Sequence, residues 1–308
     1  MTKVFIDGSA GTTGLRIYER LGSRRDIELM ILPEELRKNL DDRRRMLNSA
    51  DIAFLCLPDK AAMEAVSLIE NPNVAVIDTS TAHRVNPDWA YGFVELSEKH
   101  RSAIASSKRI ANPGCHASGF VALVAPLVQE GLIPGDLPLS SFSLTGYSGG
   151  GKKMIAQYED PNRSGLLEGP RQYGLTQTHK HLPEMQAVCG LERLPVFCPI
   201  VGDFYSGMEV TVPLFADWVK GSPDQIRQLY RNYYATGLVR PAEGEDPEGM
   251  LSAAAFAGRD DLQIGVWGNE DRILLVARFD NLGKGASGAA IQNMNLLLGL
   301  PESTGLNI

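Results

Sequence analysis

The residues best suited to covalent chemistry form the turn Asn112-Pro113-Gly114-Cys115-His116, which precedes an apolar run, Ala117 to Val128. The run predicts a helix, so Cys115 falls at its N-terminus, where unpaired N–H groups and the positive end of the dipole favour thiolate over thiol. An ordinary cysteine has a pKa of about 8.5, so this placement favours attack at neutral pH. Pro113 and Gly114 suit a tight turn better than a packed strand, which favours a nucleophile over a buried structural cysteine.

Histidines supply the candidate bases. Three of the five, His116, His179 and His181, lie beside Cys115 or in the segment Thr178 to Glu184. The i, i+2 spacing of His179 and His181 is typical of one face of a strand. No third ligand stands at a spacing suited to zinc, so we predict a base for Cys115 and no metal site.

The composition is that of a globular protein and argues against nucleic acid and membranes as partners. The chain has 308 residues, 44% hydrophobic and 22% charged, with a net charge of −7 and no basic block. Nucleic acid is therefore not an expected partner, although local sites can still bind anions. The four cysteines lack disulfide-framework or zinc spacing, so we expect reduced thiols in a cytoplasmic protein. The opening strand-like run, Lys3 to Ile6, carries no secretory signal, and no apolar run approaches about 18 residues, so we expect no membrane span.

A glycine turn near the start of the chain predicts a dinucleotide site. The strand-like run Val4 to Asp7 leads into G-x-x-G-x-x-G, followed by helical spacing over residues 15–21. Glycines let the backbone approach a pyrophosphate, which then faces the helix N-terminus. The candidate cofactor contacts are Gly8, Ser9, Gly11, Thr12 and Gly14. An ordinary tight turn is the alternative for this stretch taken alone.

The second predicted strand, Ile27 to Leu32, leaves the cofactor type open. An acidic residue at its end would hold the ribose 2′-OH in an NAD site. Pro33 comes first instead, with Glu34 and Glu35 after it and Arg37 beyond. This order does not decide between NAD and NADP.

Strands alternate with helices through the rest of the first third of the chain. Residues 50–57 and 74–77 are strand-like, and residues 60–69 are helical. The alternation predicts a parallel, doubly wound sheet, with ligands at the carboxyl ends of its strands. The glycine turn, Pro58, Ser80 and Cys115 all fall at such ends.

The second half of the chain has a different pattern. Strand-like segments cover residues 139–146, 194–201, 208–215, 262–267 and 272–279, with helices over 224–234 and 288–298. We therefore predict a dinucleotide-binding domain over 1–114, to which a C-terminal helix of about 286–308 returns. Residues 115–285 are predicted to form a catalytic and oligomerisation domain.

A glycine-rich basic segment, Tyr147 to Lys153, is predicted to be a flexible loop. Its three consecutive glycines would let the backbone wrap a ligand, and Lys152 would meet an anion of the substrate. A solvated turn is the alternative.

Five motifs follow one another along the chain. They are the glycine turn, Asp78-x-Ser80-x-x-x-Arg84, Asn112-Pro113-Gly114-Cys115, His179-Lys180-His181-x-Pro183-Glu184 and Asp280-Asn281-Leu282-Gly283-Lys284-Gly285. This series closely resembles the short, type 2 form of the N-acetyl-γ-glutamyl-phosphate reductase family over nearly the whole chain. His116 stands where the longer form often has tyrosine, and Lys180 where arginine is usual.

The resemblance implies an α/β fold: a Rossmann-type doubly wound parallel sheet plus an α+β semialdehyde-dehydrogenase-type catalytic domain with a mostly antiparallel sheet. It also implies NADPH-dependent reduction of an acyl phosphate, N-acetyl-γ-glutamyl phosphate, to N-acetyl-L-glutamate 5-semialdehyde in arginine biosynthesis. Cys115 matches the nucleophile, which would form a thioester and release phosphate. His179 matches the candidate acid/base, and His181 is the alternative base or a substrate contact.

The resemblance suggests further contacts. Arg84 and Asn112 would bind the substrate phosphate, by analogy with aspartate-semialdehyde enzymes, although a surface salt bridge is the alternative for Arg84. Asn281 and Gly283 would line the nicotinamide side of NADP(H), and Ser80 would also contact the cofactor.

Other functions stay open at this point. One is aspartate-semialdehyde dehydrogenase, or another acyl-phosphate reductase on the same scaffold, including a carrier-protein-linked or aminoadipyl variant. A non-enzymatic alternative is an NADPH-binding redox sensor, which would not need a thiol paired with a histidine. A sheet with one open apolar face commonly pairs, so we expect a homodimer or homotetramer.

Overall fold

A computed structural model describes residues 1–243 and 249–308 of the chain. The chain folds into two units. The first comprises Met1–Gly114 and Ala286–Leu306, and the second comprises Cys115–Gly285 and Asn307–Ile308.

The helices and strands of the described residues have the following bounds. The α-helices are α1 (Thr12–Leu21), α2 (Leu40–Ser49), α3 (Asp59–Ser67), α4 (Glu98–Ser106), α5 (Cys115–Gln129), α6 (Gly151–Glu159), α7 (Leu182–Cys189), α8 (Pro223–Tyr233) and α9 (Gly288–Leu297). The strands of the first unit are β1 (Thr2–Asp7), β2 (Ile27–Met30), β3 (Ile52–Leu55), β4 (Ala75–Asp78), β5 (Ala90–Tyr91) and β6 (Arg109–Ala111). Those of the second unit are β7 (Ser140–Gly146), β8 (Arg171–Gln172), β9 (Val196–Gly202), β10 (Met208–Phe215), β11 (Val239–Pro241), β12 (Leu262–Gly268) and β13 (Arg272–Phe279).

The sheet of the first unit is parallel throughout, in the order β2-β1-β3-β4-β6-β5. Helices cover both of its faces, which is why its strands are almost continuously apolar. Along β1, Val4 and Ile6 pack in one buried cluster with Ile291 of α9. Phe5 points the other way, into a cluster with Leu47 of α2. The alternation follows from the two-residue period of a strand.

Helix α9 is tied to the carboxyl ends of two strands. The Asn293 amide donates to the Gly92 carbonyl at 2.9 Å and to the Asn112 side-chain oxygen at 3.2 Å. All three residues belong to the first unit, so the C-terminal helix is part of the unit that carries the glycine turn.

In the described residues of the second unit, the strands follow the order β11-β12-β13-β10-β7-β9-β8. The β11–β12 and β7–β9 pairs are parallel, and the other four are antiparallel. Helix α5 packs closely on the sheet because Gly119 has no side chain: a Cβ there would lie 2.6 Å from Val210 Cγ2 and 2.8 Å from Phe279 Cε1. The predicted combination of a parallel doubly wound sheet with a mostly antiparallel one is confirmed.

The predicted flexible loop over residues 147–153 is wrong. Tyr147–Gly150 forms a 3₁₀ turn, and α6 begins at Gly151. Gly151 takes a φ of +73°, which reverses the chain, and the following residues are mostly good helix formers. Lys152 consequently lies exposed in the first turn of α6.

The strand interpretation of the histidine pair is also wrong. His179 lies in an irregular segment, and His181 is the N-cap residue of α7. Pro183 at the start of α7 explains the difference, because proline suits the first turn of a helix and interrupts a strand.

Candidate active site

Cys115 is the first residue of α5, as the apolar run after it predicted. The residue is half-buried, so it is not a buried structural cysteine. Gly285 lies close against the Cβ atom of Cys115: an added Cβ at Gly285 would lie 2.9 Å from Cys115 Cβ and 3.1 Å from the Asp280 carbonyl oxygen. The segment Asp280 to Gly285 therefore fixes the position of the thiol-bearing residue from behind.

Two histidines lie against the thiol. The sulfur of Cys115, a ring nitrogen of His116 and a ring nitrogen of His181 all lie within 4.8 Å of one another. Both histidines are buried. These three atoms are metal-ligand types, but their arrangement also suits proton transfer between a thiol and an imidazole.

Hydrogen bonds hold both ring nitrogens of His116. Nδ1 pairs with the Ser143 hydroxyl at 2.6 Å, and Nε2 pairs with the Tyr173 hydroxyl at 2.7 Å. Burial, with smaller contributions from His179 and Lys180, lowers the pKa of His116 to about 3. A neutral ring with both nitrogens occupied is better suited to orienting its neighbours than to exchanging protons or binding a metal.

Tyr173 links the cluster to the small strand β8. Burial raises the pKa of Tyr173, and a negative charge on Cys115 raises it further. The phenol therefore keeps its proton and can donate to an acceptor near the thiol. Neither Tyr173 nor Ser143 was picked out from the sequence, because no local motif marks residues that meet His116 only through the sheet.

His179 packs in the same aromatic cluster. Its ring centroid is 5.5 Å from that of His116 and 4.9 Å from that of His181. Burial, followed by the charge of Lys180, lowers its pKa to about 4, so the ring is neutral at pH 7. Its Nδ1 accepts the His181 backbone N–H at 3.3 Å, which places the proton of the neutral ring on Nε2. The second unit thus brings Cys115, His179 and His181 into one cluster.

Gly285 gives a direct test of how tightly the thiol must be held. Gly285→Ala is expected to lower kcat about 10- to 100-fold, because the new methyl group displaces Cys115 and a misplacement of about 1 Å can be this costly. Steady-state rates and thermal unfolding should be measured together. Gly169→Ala is the matched control, since a Cβ at this exposed position meets nothing within 4 Å. Wild-type turnover in a Gly285→Ala variant that unfolds at the same temperature as the wild type would contradict the expectation.

The glycine turn of the first unit has the geometry of a phosphate cradle. Gly8 has a φ of +91°, and a Cβ there would lie 2.3 Å from the Cys56 carbonyl oxygen. At Gly14 a Cβ would lie 2.4 Å from the Gly8 carbonyl oxygen. The Gly11 N–H donates to the Gly8 carbonyl at 3.0 Å, which closes the turn. Gly11 is the N-cap of α1, so the N–H groups of the first helical turn, which begins at Thr12, can bind an anion.

A cavity of about 300 Å³ opens beside this turn at the ends of β1 and β2. Gly8 and Ser9 line it together with Tyr18 of α1 and Arg37. The glycine cradle and the adjoining cavity fit the phosphate and adenosine parts of a dinucleotide.

A buried polar network fills the carboxyl end of β4. Asp78 accepts the Ser80 backbone N–H at 2.9 Å and the Ser80 hydroxyl at 2.7 Å, and it pairs with His83 Nδ1 at 2.6 Å. The His83 ring stacks on Trp89 with the centroids 4.0 Å apart. His83, which was not singled out from the sequence, completes the Asp78-x-Ser80 motif.

Arg84 and Asn112 are also buried in the first unit. Arg84 donates to the Asn112 and Thr79 carbonyl oxygens, each at 3.0 Å. The Asn112 amide donates to the Ala286 carbonyl at 3.0 Å. Arg84 is buried and does not lie at the surface, and its contact with substrate phosphate, like that of Asn112, stays a prediction.

Asn281 and Gly283 belong to the second unit. The Asn281 side chain accepts the Gly207 N–H at 2.9 Å and donates to the Ser148 hydroxyl at 3.0 Å. A Cβ on Gly283 would lie 1.9 Å from the Arg259 carbonyl oxygen. Both residues shape the segment behind Cys115, and their place beside a nicotinamide stays a prediction.

Other cysteines are poor alternatives to Cys115. Burial raises the pKa of Cys56 to about 12. It also raises the pKa of Cys189. Neither is a thiolate at neutral pH. In the described part of the chain, no cysteine forms a disulfide.

Two family models cover most of the chain. Residues 3–104 match the NAD binding domain of semialdehyde dehydrogenase, and residues 115–281 match the semialdehyde dehydrogenase dimerisation domain. Proteins of Brucella ovis and Brucella canis, each named N-acetyl-gamma-glutamyl-phosphate reductase, are 50% identical over 306 residues, covering 96% of this chain and 99% of the relative. The chain belongs to the N-acetyl-gamma-glutamyl-phosphate reductase family. The resemblance inferred from the five motifs is thereby confirmed.

Comparison with solved structures shows that the chain shares the fold of aspartate semialdehyde dehydrogenases. Aspartate semialdehyde dehydrogenase II of Vibrio cholerae matches with a TM-score of 0.71 at 15% identity, over 97% of this chain and 98% of that chain. The Candida albicans enzyme, solved with NADP, matches with a TM-score of 0.67 at 16% identity, over 97% and 98%. At such identities the likeness concerns the fold alone. Every helix in residues 1–243 and 249–308 is too short or too polar to cross a bilayer.

Proposed function

We propose that the protein catalyses the NADPH-dependent reduction of N-acetyl-γ-glutamyl phosphate to N-acetyl-L-glutamate 5-semialdehyde and phosphate, a step of arginine biosynthesis. One observation carries the proposal. A half-buried thiol at the first residue of α5 lies within 4.8 Å of a ring nitrogen of His181, in a chain that is 50% identical to reductases of that name.

Cys115 is the proposed nucleophile and His181 its base. His181 accepts the thiol proton, and Sγ attacks the acyl carbon of the acyl phosphate. The bond from that carbon to the phosphate oxygen breaks, inorganic phosphate leaves, and the acyl group is held as a thioester. Backbone N–H groups at the start of α5 can stabilise the oxyanion that develops during attack.

The geometry favours His181 over His179 for this role. A base must accept a proton on a ring lone pair, and the Nδ1 lone pair of His179 already accepts the His181 backbone N–H. His179 then presents N–H to its surroundings and orients the segment that carries His181. His116, held by Ser143 and Tyr173, fixes the other side of the cluster.

Reduction of the thioester completes the reaction. NADPH, when bound, supplies a hydride to the acyl carbon. The carbon–sulfur bond then breaks, the aldehyde leaves, and Cys115 returns as a thiolate beside the protonated His181. The thioester suits this step because sulfur donates less electron density to the carbonyl than oxygen does.

A homodimer or homotetramer is the proposed assembly. Apolar side chains on one face of the second sheet are exposed, among them Phe142, Val196 and Leu274. The strand register places them on the same face. The domain name of the matching family model and the open apolar face both support self-association. We also propose a cytoplasmic location, where a thiol such as Cys115 stays reduced.

A spectrophotometric assay of the reverse reaction tests the proposed function. The protein is incubated with NADP, phosphate and one of three semialdehydes, derived from N-acetylglutamate, aspartate or N-acetylaminoadipate, and NADPH absorbance is followed. We expect kcat/KM for the N-acetylglutamate compound to exceed the others by about 100-fold. An enzyme discriminates between substrates by how strongly it binds their transition states, and these three compounds differ in the N-acetyl amide and in chain length. Omission of phosphate should abolish sustained NADPH formation, because phosphate is the group that releases the acyl chain from the thioester. Preference for the aspartate compound would instead indicate aspartate-semialdehyde dehydrogenase, and NADPH binding without any turnover would indicate a sensor.

A further inference from the structure

Gln177 has a strained backbone close to the catalytic histidines. In residues 1–243 and 249–308 it is the one residue other than glycine with a positive φ, +55°, a left-handed conformation that side chains with a Cβ rarely adopt. Its backbone N–H donates to the Gly174 carbonyl at 3.0 Å, so the strained residue closes a turn two residues before His179. Such strain persists only where the surrounding structure holds it, and it concentrates at functional sites.

The side chain of Gln177 holds this turn on strand β9. Its Nε2 donates to the Phe197 carbonyl at 2.7 Å, and its Oε1 accepts the Phe197 backbone N–H at 2.9 Å. Further along the same edge of β9, β8 pairs with Val201, and the Tyr173 N–H donates to the Pro199 carbonyl at 3.0 Å. Phe197 is the next residue of this two-residue period, so the Gln177 amide takes the place of a strand residue where β8 has ended.

Phe197 connects this amide to the catalytic cluster. Its side chain is buried, and its ring centroid lies 5.2 Å from that of His116 and 5.1 Å from that of His179. The Gln177 amide therefore fixes both the turn that leads into His179 and the residue against which the His179 ring packs. Because the His181 backbone N–H donates to His179 Nδ1 at 3.3 Å, a displacement of the turn would move both histidines relative to the thiol.

We propose that Gln177 is a positioning residue: its amide, bound to the Phe197 backbone, holds the strained turn that sets the distance from His181 to Cys115. The inference rests on the proposed function, in which His181 takes the Cys115 proton. Glycine would adopt a positive φ without strain but has no amide. Asparagine tolerates the left-handed region, but its side chain is one methylene too short to keep both bonds. The two bonds to Phe197 therefore explain a glutamine at a position whose backbone suits glycine.

Gln177→Gly and Gln177→Asn test the proposal in the full-length protein. Both relieve backbone strain while they lose the paired bonds, so the thermal unfolding temperature should stay close to that of the wild type. Turnover should still suffer: kcat is expected to fall about 10- to 100-fold with little change in the KM for NADPH, because a misplacement of about 1 Å in a reacting group can be this costly. Alkylation of Cys115 by iodoacetamide at pH 7, followed by mass spectrometry of the peptide that contains it, should slow by a similar factor, since the base has moved away from the thiol.

Leu175→Gly is the matched control. It gives the same segment the backbone freedom of a glycine, but Leu175 is exposed, and the Gln177 amide remains. Its turnover and its rate of Cys115 alkylation should stay close to those of the wild type.

The remaining outcomes separate this role from the proposed function. Wild-type turnover and alkylation in both Gln177 variants would overturn the role of Gln177 and leave the proposed reductase intact. Rates that fall only in proportion to a loss of folded protein, or that fall equally in Leu175→Gly, would also overturn it, because they indicate a purely structural contribution. A wild type that does not turn over the acyl phosphate, but whose Cys115 alkylation still depends on Gln177, would overturn the proposed function and support the positioning role.

Discussion

Replacement of Cys115 by serine is expected to lower turnover at least about 10⁴-fold, since loss of an essential nucleophile has an effect of this size. A hydroxyl keeps its proton far more firmly than a thiol, and an ester accepts hydride less readily than a thioester. The side chain changes by one atom, and Cys115 is only half-buried, so the fold should be preserved. The rate of NADPH oxidation with the acyl phosphate measures the effect, and calorimetry with NADPH should show an unchanged affinity.

Cys198→Ser is the control for the loss of a thiol. Cys198 lies on β9 next to Phe197, whose ring contacts His116, but alternate residues of a strand point to opposite faces. Activity should therefore be retained. Mass spectrometry of the wild type mixed with acyl phosphate in the absence of NADPH should detect one covalently held acyl group, and the Cys115→Ser protein should hold none as a thioester. Retained turnover in Cys115→Ser would refute the covalent mechanism.

The position of Cys115 could be predicted because the signals for it are local. Pro113 and Gly114 mark a turn, and the apolar residues that follow mark a helix, so the N-terminal placement of the thiol needs no knowledge of distant contacts. The glycine turn is local only in part. At Gly14 the steric demand arises from the backbone of Gly8 and Ser9 within the turn, whereas at Gly8 it arises from the Cys56 backbone after β3, which is distant in sequence.

Long-range partners could not be predicted from the same signals. Arg43 meets Asp7 across 36 residues, and Tyr173 meets His116 across 57. Such pairs depend on strand order and on which face of a helix is inward, and no pattern around either residue encodes them.

Glycine-rich stretches were misleading for a different reason. The same glycines that permit a loop also permit a sharp reversal into a helix, and Gly151 does the latter at the start of α6. The histidine pair was ambiguous because i, i+2 spacing is compatible with a strand and with an irregular entry to a helix. The tautomer of His179 depends on a backbone N–H that this irregular entry directs at its Nδ1.

Because the His179 tautomer favours His181 as the base, replacement of His181 is the second change that we expect to have a large effect. His181→Asn is expected to lower kcat/KM about 10²- to 10⁴-fold, the range for loss of a general acid/base, because a ring nitrogen of His181 lies within 4.8 Å of the Cys115 sulfur. Two hydroxyl groups hold the ring of His116, and the Nδ1 lone pair of His179 already accepts a backbone N–H. His179→Asn should cost no more than about tenfold, since it removes an orienting contact and leaves the proton acceptor in place. Alkylation of Cys115 by iodoacetamide at neutral pH provides a readout separate from substrate turnover: it should slow markedly in His181→Asn and little in His179→Asn, since only the former loses the group that takes the thiol proton. If His179→Asn produced the larger loss in both measurements, the base would be His179, as the family motif suggested, and the hydrogen bond from the His181 backbone would have to break during catalysis.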